Sequence, residues 1–225
     1  MTVSVIVPTL NEAPVLAATL ARVRATCPHE IIVVDGGSDD ETGHVATGRA
    51  DSVLTAARGR AAQMNAGAAV ARGDVLVFVH ADTLVPSTFV AAIEHACGDP
   101  NVVGGRFDVE LSPSSPLIWL TGWLMNWRSR LTRIATGDQA IFIRRDTFAA
   151  LGGFADIPLM EDIDLSRRLK RAGRVACLRE RVTTSSRRWR AHGVVRTILL
   201  MWTLRVLYFC GVGPERLAQL YRNVR

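Results

Sequence analysis

The stretch Gly73-Asp74-Val75-Leu76-Val77-Phe78-Val79-His80-Ala81-Asp82-Thr83 decides the fold: an apolar run with no turn former ends abruptly in a histidine and a carboxylate. A short, valine-rich run of this kind reads as a parallel strand buried on both faces, here over 75–80. Open α/β sheets bind ligands in the crevice beyond the carboxyl ends of their strands. His80 and Asp82 therefore stand where a ligand is expected.

Toward the N-terminus, Val3-Ser4-Val5-Ile6-Val7 is a β-rich run stopped by Pro8, and Asn11-Glu12 opens a segment with Leu16, Leu20 and Val23 on one helical face. Ile31-Ile32-Val33-Val34 is a second buried strand, closed by the polar loop Asp35-Gly36-Gly37-Ser38-Asp39-Asp40-Glu41-Thr42. Helices are expected over 59–71, with Arg58, Arg60, Gln63 and Asn65 near its start, and over 86–96. Helices alternating with continuous apolar strands predict an α/β fold, a mostly parallel sheet covered on both faces.

Toward the C-terminus, Gly104 to Leu111 alternates as a strand with one wet face should, so the second half of the sheet is expected to be mixed. Residues 117–134 carry Trp119, Trp123, Trp127 and Leu131 at spacings of four, with Arg128, Arg130 and Arg133 near the end. Such a stripe is most often a core face; with flanking arginines it also suits a membrane interface or a hydrophobic acceptor site. Gly137-Asp138-Gln139 leads into a strand over 140–143, and 146–151 is a short helix ended by Gly152-Gly153. The helix over 160–169 has an acidic first turn, Glu161, Asp162 and Asp164, which complements the positive helix end. Residues 194–212 are strongly apolar but hold Arg196 and Arg205; their longest uncharged run, 197–204, is well short of the ~20 residues that span a bilayer. That segment is expected to lie on a membrane or to pack on the domain. Pro214 starts a final amphipathic helix through Leu217, Leu220 and Tyr221.

At 225 residues the chain can bury a core without metal or disulfide staples. The expected organisation is one domain over 1–190 and an apolar helical extension over 191–225. Cys27, Cys97, Cys177 and Cys210 lie far apart with no zinc-ligand spacing, and read as buried thiols of a reducing compartment. Met1-Thr2-Val3 enters a strand at once, which favours the cytoplasm. The net charge of +6 calls for an anionic partner: nucleic acid, a phosphorylated substrate or a lipid surface. Among 27 basic residues only Lys170 is a lysine, and GxxxxGK[ST] is missing, which excludes a P-loop enzyme.

Carboxylates at Glu12, Asp35 to Asp40 and Asp82 follow consecutive strands, and Glu161-Asp162 adds a fourth acidic cluster. Carboxylates gathered at one sheet edge repel unless a cation joins them. A hard divalent ion bridging a diphosphate is the common solution, and it points to a nucleoside diphosphate derivative.

Val3-Ser4-Val5-Ile6-Val7-Pro8-Thr9-Leu10-Asn11-Glu12, the Asp35 to Thr42 loop, His80-Ala81-Asp82 and Gly152-Gly153-Phe154 followed by Glu161-Asp162 together resemble family-2 glycosyltransferases. The likeness covers about residues 1–180, in order. Gly137-Asp138-Gln139 with Pro158-Leu159-Met160-Glu161-Asp162 is similar to a bacterial selenodomain-associated subgroup. The resemblance implies a GT-A fold, a nucleotide-sugar donor rather than nucleic acid, and a hydroxyl acceptor that a lipid can carry. It implies that Pro8, Thr9, Glu12 and Asp35 line the nucleoside and that Asp82 holds Mg2+ or Mn2+ against the diphosphate. Asp162 is then the general base, with Glu161 as fallback, and inversion follows if that base acts in line. Ser38, Arg60, His80 and Asp138 are counted with the substrate contacts. So are Arg188 and Trp189, because Arg187-Arg188-Trp189 resembles the RW part of a later motif whose leading glutamine is missing here.

Two positions depart from the family pattern. Gly36 replaces the second of the usual two aspartates, and His80 replaces the first aspartate of DxD. A ribose contact or a structural role is expected of His80 ahead of metal ligation, because His is an unusual ligand for Mg2+. A sugar-nucleotide-forming nucleotidyltransferase needs a glycine-rich N-terminal loop with a catalytic Arg or Lys, which Pro8 to Glu12 does not supply. A dinucleotide oxidoreductase needs GxGxxG after the first strand. A non-catalytic partner-binding module would explain the altered DxD as decay, against which stand Asp82 and Glu161-Asp162. Peripheral association with the inner membrane face is expected through 117–134 or 194–212.

Overall fold

A computed structural model describes residues 1–186 and 193–223. In chain order the elements are β1 (Val3–Thr9), α1 (Ala13–Arg24), β2 (Glu30–Asp35), α2 (Thr42–Ala46), β3 (Ser52–Thr55), α3 (Arg60–Val70), β4 (Val75–Phe78), β5 (Thr83–Leu84) and α4 (Phe89–Cys97). There follow β6 (Val102–Ser112), α5 (Pro116–Thr132), a 3-10 turn (Gly137–Gln139), β7 (Phe142–Arg144), α6 (Arg145–Ala150), α7 (Glu161–Ala172) and β8 (Arg174–Ser185). The last two helices are α8 (Val194–Phe209) and α9 (Pro214–Asn223).

Eight strands form one curled sheet in the order β3-β2-β1-β4-β7-β6-β8-β5. The four on the β3 side are mutually parallel, so the carboxyl ends of β1, β2 and β4 share an edge. β7 runs antiparallel to β4 and β6, while β6 and β8 are parallel. Successive side chains of these strands feed opposite cores. Val5, Val33 and Val77 pack with Leu16 and Leu20 of α1 and Phe89 and Ile93 of α4. Ile6, Ile32, Leu76 and Phe78 pack with Met64 of α3 and Leu165 and Leu169 of α7. Both sheet faces are covered, as the apolar runs predict.

Several expectations are corrected. β1 runs on through Pro8 to Thr9, because the last β1–β4 pair is Ile6 with Phe78 and a proline beyond it breaks no ladder bond on that side. β4 stops at Phe78, and His80 to Thr83 is a turn closed by the Thr83 amide on the His80 carbonyl at 3.1 Å. β6 is an inner strand with α4 and α5 against it, so 104–109 is buried throughout instead of having one wet face. Its Arg106 is fully buried, paired with Asp108, which also takes Arg130 Nη2 at 2.6 Å. Of the cysteines, all free, Cys97 is buried, Cys177 is half-buried, and Cys27 and Cys210 are exposed.

The tryptophan stripe of α5 is no core face: Trp119, Trp123 and Trp127 are 61%, 50% and 53% exposed. The face that docks is one position off the stripe. Asn126 pairs with the Val109 backbone, accepting from its amide at 2.8 Å and donating to its carbonyl at 2.9 Å, and Arg130 donates to the Cys177 carbonyl at 3.0 Å. α8 and α9 pack against Ile134, Leu159, Met160 and Ile163 through Leu204 and Leu217. α8 leaves Leu199 and Val206 exposed on its outer side, and Trp202 is also 57% exposed. No helix of the described residues is long and apolar enough to cross a membrane. The expected domain boundary at 190 lies outside the described residues, as do Arg188 and Trp189.

At the opposite sheet edge, buried Glu30 accepts from the Ser4 hydroxyl and the Arg72 amide, both at 2.6 Å, and from the Arg72 guanidinium at 3.1 and 3.2 Å. Burial works to raise its pKa, but the Ser4 and Arg72 donors outweigh it and hold the carboxyl below its ordinary value. A depressed folded-state pKa stabilises the fold above the unfolded glutamate pKa, and that contribution is lost as pH falls through the folded value. Glu30→Ala is thus expected to lower unfolding stability at neutral pH by about 2–3 kcal/mol. In urea titrations the gap to the parent protein should narrow through the carboxylate range; a gap independent of pH would contradict this role.

Candidate functional site

The sequence-selected residues fall into two groups at the shared strand edge. The first joins the ends of β1 and β2. Asp35 accepts from the Ser38 amide at 2.9 Å and from the hydroxyls of Ser38 and Thr9. The Asn11 amide donates to Ser38 Oγ at 2.9 Å, and the Glu12 amide to Thr42 Oγ1 at 2.8 Å. The loops after β1 and β2 are therefore one hydrogen-bonded unit beside Pro8 and Thr9.

Beneath that unit lies Gln63 of α3, buried, whose amide donates to the Thr9 carbonyl at 2.7 Å and the Val34 carbonyl at 2.9 Å. A Cβ at position 36 would stand 3.1 Å from this carboxamide. Gly36, where the family pattern carries an aspartate, is the steric counterpart of Gln63.

The second group lines a cavity of about 160 Å3 floored by Arg60, His80, Asp138 and Asp162 and walled by α5, α8 and α9. His80 Nδ1 is 3.3 Å from Asp138 Oδ1. The ring lies against the backbone of Gly137, where a Cβ would come within 2.6 Å of Nε2. Asp162 receives two amides, Gly137 N at 2.8 Å on Oδ2 and Ile163 N at 2.7 Å on Oδ1. The carboxylate is thus aimed by the backbone on both sides and still faces the cavity. This bond is the physical content of the Gly137-Asp138-Gln139 and Glu161-Asp162 pairing seen in the sequence.

Glu161 is 3% exposed and faces a smaller void behind the cavity. Its Oε1 is 2.9 Å from Arg60 Nε, while Oε2 has no partner among the described residues. Burial pushes the Glu161 carboxyl above its ordinary pKa, Arg60 opposes that and Asp162 adds to it. Burial works against the Arg60 charge, but Glu161, Asp162 and Asp138 together raise its pKa. Asp162, not Glu161, is the carboxylate presented to an incoming molecule.

Asp82 follows His80 in the turn after β4 but does not line this cavity. It is half-buried, with Oδ1 3.4 Å from the Thr184 hydroxyl. Among the described residues no group of three His, Cys, Asp or Glu side chains forms a cage for a metal. A single partly exposed carboxylate does fit the way Mg2+ is usually bound, through one or two carboxylates with water and substrate phosphate making up the shell.

A sequence profile for Glycosyl transferase family 2 matches residues 4–151. The chain belongs to glycosyltransferase family 2. The PGL/p-HBAD biosynthesis glycosyltransferases of Mycobacterium bovis and Mycobacterium tuberculosis are 31% identical to this family-2 chain over 161 residues, which is 67% of it and 62% of each relative. The match thus spans under two thirds of those proteins.

Among solved structures, a mannosyltransferase from Pyrobaculum calidifontis in complex with GDP-Man and Mn2+ superposes with a TM-score of 0.70 at 21% identity, covering 99% of this chain and 69% of that one. A glucosyl-3-phosphoglycerate synthase from Mycobacterium tuberculosis, in complex with Mn2+, UDP and glucosyl-3-phosphoglycerate, gives 0.63 at 17% identity, covering 94% and 80%. These likenesses establish the GT-A fold for the family-2 chain.

Sequence reading gave no site role to Gln63 or Arg205 and named Arg128 only as one of the arginines flanking the tryptophan stripe, although all three reach the strand edge or the cavity. The signal for the arginines is spacing: Met125 and Arg128, like Trp202 and Arg205, are three apart on one helical face. For the Gly36 and Gln63 pair, Gly36→Asp and Gln63→Ala are each expected to destabilise, Gln63→Ala by about 1–3 kcal/mol. The double variant should lose less than the sum by about 1 kcal/mol in urea unfolding, whereas strict additivity would dissolve the steric pairing.

Proposed function

We propose that this family-2 chain transfers a sugar from a nucleoside-diphosphate sugar to a hydroxyl acceptor, with a divalent cation and inversion at the anomeric carbon. The observation that carries the proposal is the cavity-facing carboxylate of Asp162, held by two backbone amides beside the donor edge of the sheet. The nucleoside sits on the Thr9, Glu12, Asp35 and Ser38 unit, and the diphosphate runs toward the turn after β4. Asp82 holds Mg2+ or Mn2+ there, which neutralises charge on the leaving diphosphate. His80, set by Gly137 and Asp138, contacts the donor from below. Asp162 takes the proton of the acceptor hydroxyl as its oxygen attacks from the face opposite the leaving group, which inverts the anomeric centre. The Gly137–Asp162 bond also supports placement in the selenodomain-associated subgroup.

We infer as well that the protein works on a membrane surface, on the cytoplasmic side that four free thiols favour. The outward apolar faces of α5 and α8 support this, with Trp123 and Trp127 stacked at 6.4 Å in solvent. Replacing both tryptophans by alanine is expected to reduce sedimentation with anionic vesicles, and unchanged sedimentation would remove the membrane reading.

Titration calorimetry with UDP- and GDP-sugars tests the roles of the carboxylates. Asp82→Ala should abolish the Mn2+-dependent part of donor binding. Asp162→Asn should keep binding and lower transfer by about 100-fold or more. Metal-dependent binding that survives Asp82→Ala, or full transfer by Asp162→Asn, would overturn the assignment.

A further inference from the structure

The cavity has a second half that the proposed chemistry leaves unused. α5 contributes Leu124, Met125 and Arg128 to it, and α8 contributes Met201, Trp202 and Arg205. The order is the same on both helices: two adjacent apolar side chains, then a guanidinium about one turn on. None of the residues of the β1 and β2 unit lines this space.

Neither guanidinium is neutralised by an ion pair among the described residues. Arg128 Nη1 reaches the Ile134 carbonyl at 3.4 Å, and its Nη2 is buried with no acceptor. Burial and the facing Arg205 lower the Arg128 pKa to about 10, with Arg106 adding to the repulsion and Asp162 opposing it. Burial lowers that of Arg205 against the pull of the same Asp162. Two half-buried positive charges thus share one facing carboxylate, and Arg128 Nη2 is left without an acceptor. Desolvated charges and unused donors of this kind are unfavourable unless an anion completes them.

We infer that this half of the cavity binds a phosphate-bearing amphiphile, its phosphate between Arg128 and Arg205 and its chain along the apolar side chains of α5 and α8. The inference rests on the transferase reading in one respect, that this molecule is the acceptor or carries it. A phosphate group offers several oxygens to two planar guanidiniums, more than a carboxylate can. The apolar walls give a free phosphate ion nothing, whereas a long chain is desolvated by them. Trp202, which lines the cavity and is 57% exposed, and the exposed Trp123 and Trp127 of α5 put the mouth of the cavity beside the surface proposed to meet lipid.

The test is calorimetry on the full chain without donor, using dodecyl phosphate below its micelle concentration, inorganic phosphate and dodecyl maltoside as probes. Dodecyl phosphate is expected to bind at one site, about tenfold or more tighter than either other probe. Arg128→Gln and Arg205→Gln should each weaken it about tenfold, with Arg128→Lys in between. Thermal midpoints of the ligand-free glutamine variants should equal or exceed the parent value, since each removes an unneutralised charge. Equal affinity for inorganic and dodecyl phosphate would make the ligand a soluble phosphate and overturn the amphiphile. Equal affinity for dodecyl maltoside, or unchanged binding in both folded glutamine variants, would overturn the arginine site. Because no donor is present, such a failure leaves the transferase reading standing, and a failure of donor turnover leaves this site standing.

Discussion

The ion pair between the buried carboxylate of Glu161 and the solvent-accessible guanidinium of Arg60 is the constraint on which the rest of the site depends. It joins the first residue of α3 to the first residue of α7, across the divide between the parallel half of the sheet and the mixed half. Removing Arg60 leaves the Glu161 carboxylate in the interior without its cation, which is unfavourable. While the pair is intact, the start of α7 cannot drift, and the next residue, Asp162, meets the Gly137 amide. α3 carries two further polar ties. Gln63 bridges the ends of β1 and β2, and Asn65 exchanges hydrogen bonds at 2.9 Å with the Phe154 backbone in the loop before α7. One short helix thus sets the edge formed by the ends of β1 and β2, the cavity floor and the loop that leads to the carboxylate.

The electrostatic design of the cavity follows from that placement. Negative charge is concentrated where the helix N-terminus and backbone amides support it, at Asp162, and positive charge is left without ion-pair partners among the described residues at Arg128 and Arg205 on the far wall. α5 can present arginines to two environments because residues two apart on a helix point to nearly opposite sides. Arg130 is spent on Asp108 and the β8 backbone, while Arg128 turns to the cavity. α8, held down by Leu204, closes the same space from above and keeps an apolar outer face.

Much of this was legible in residue order. Valine- and isoleucine-rich runs fixed β1, β2 and β4 because parallel strands buried on both faces tolerate little else. Turns placed after them put Asp35, His80 and Asp82 at one edge. What periodicity could not show was which polar groups do the docking. The Trp119, Trp123 and Trp127 stripe has the spacing of a core face, yet α5 is anchored by Asn126 against a strand backbone and by Arg130 on Asp108. The apolar part of that docking is small, Ile118 and Met125 against Val109 and Leu111, and its hydrogen-bonded part leaves no apolar signature. Arg106 misled in the same way, since a buried arginine in an alternating strand reads as a wet face until its partner at Asp108 is known. Glu161 and Asp162 are adjacent carboxylates in sequence, and only the fold separates a buried ion-pair member from a cavity-facing group.

The central claim, that the strand edge and the cavity form one nucleotide-sugar transfer site, is tested most directly by turnover. Purified protein with Mn2+ is presented with a panel of UDP-, GDP- and ADP-sugars, and released nucleoside diphosphate is followed in time. At least one donor is expected to be turned over in a metal-dependent manner, with the rate rising when a long-chain alkyl phosphate is added. Absence of both turnover and metal-dependent binding across the whole panel would contradict the claim.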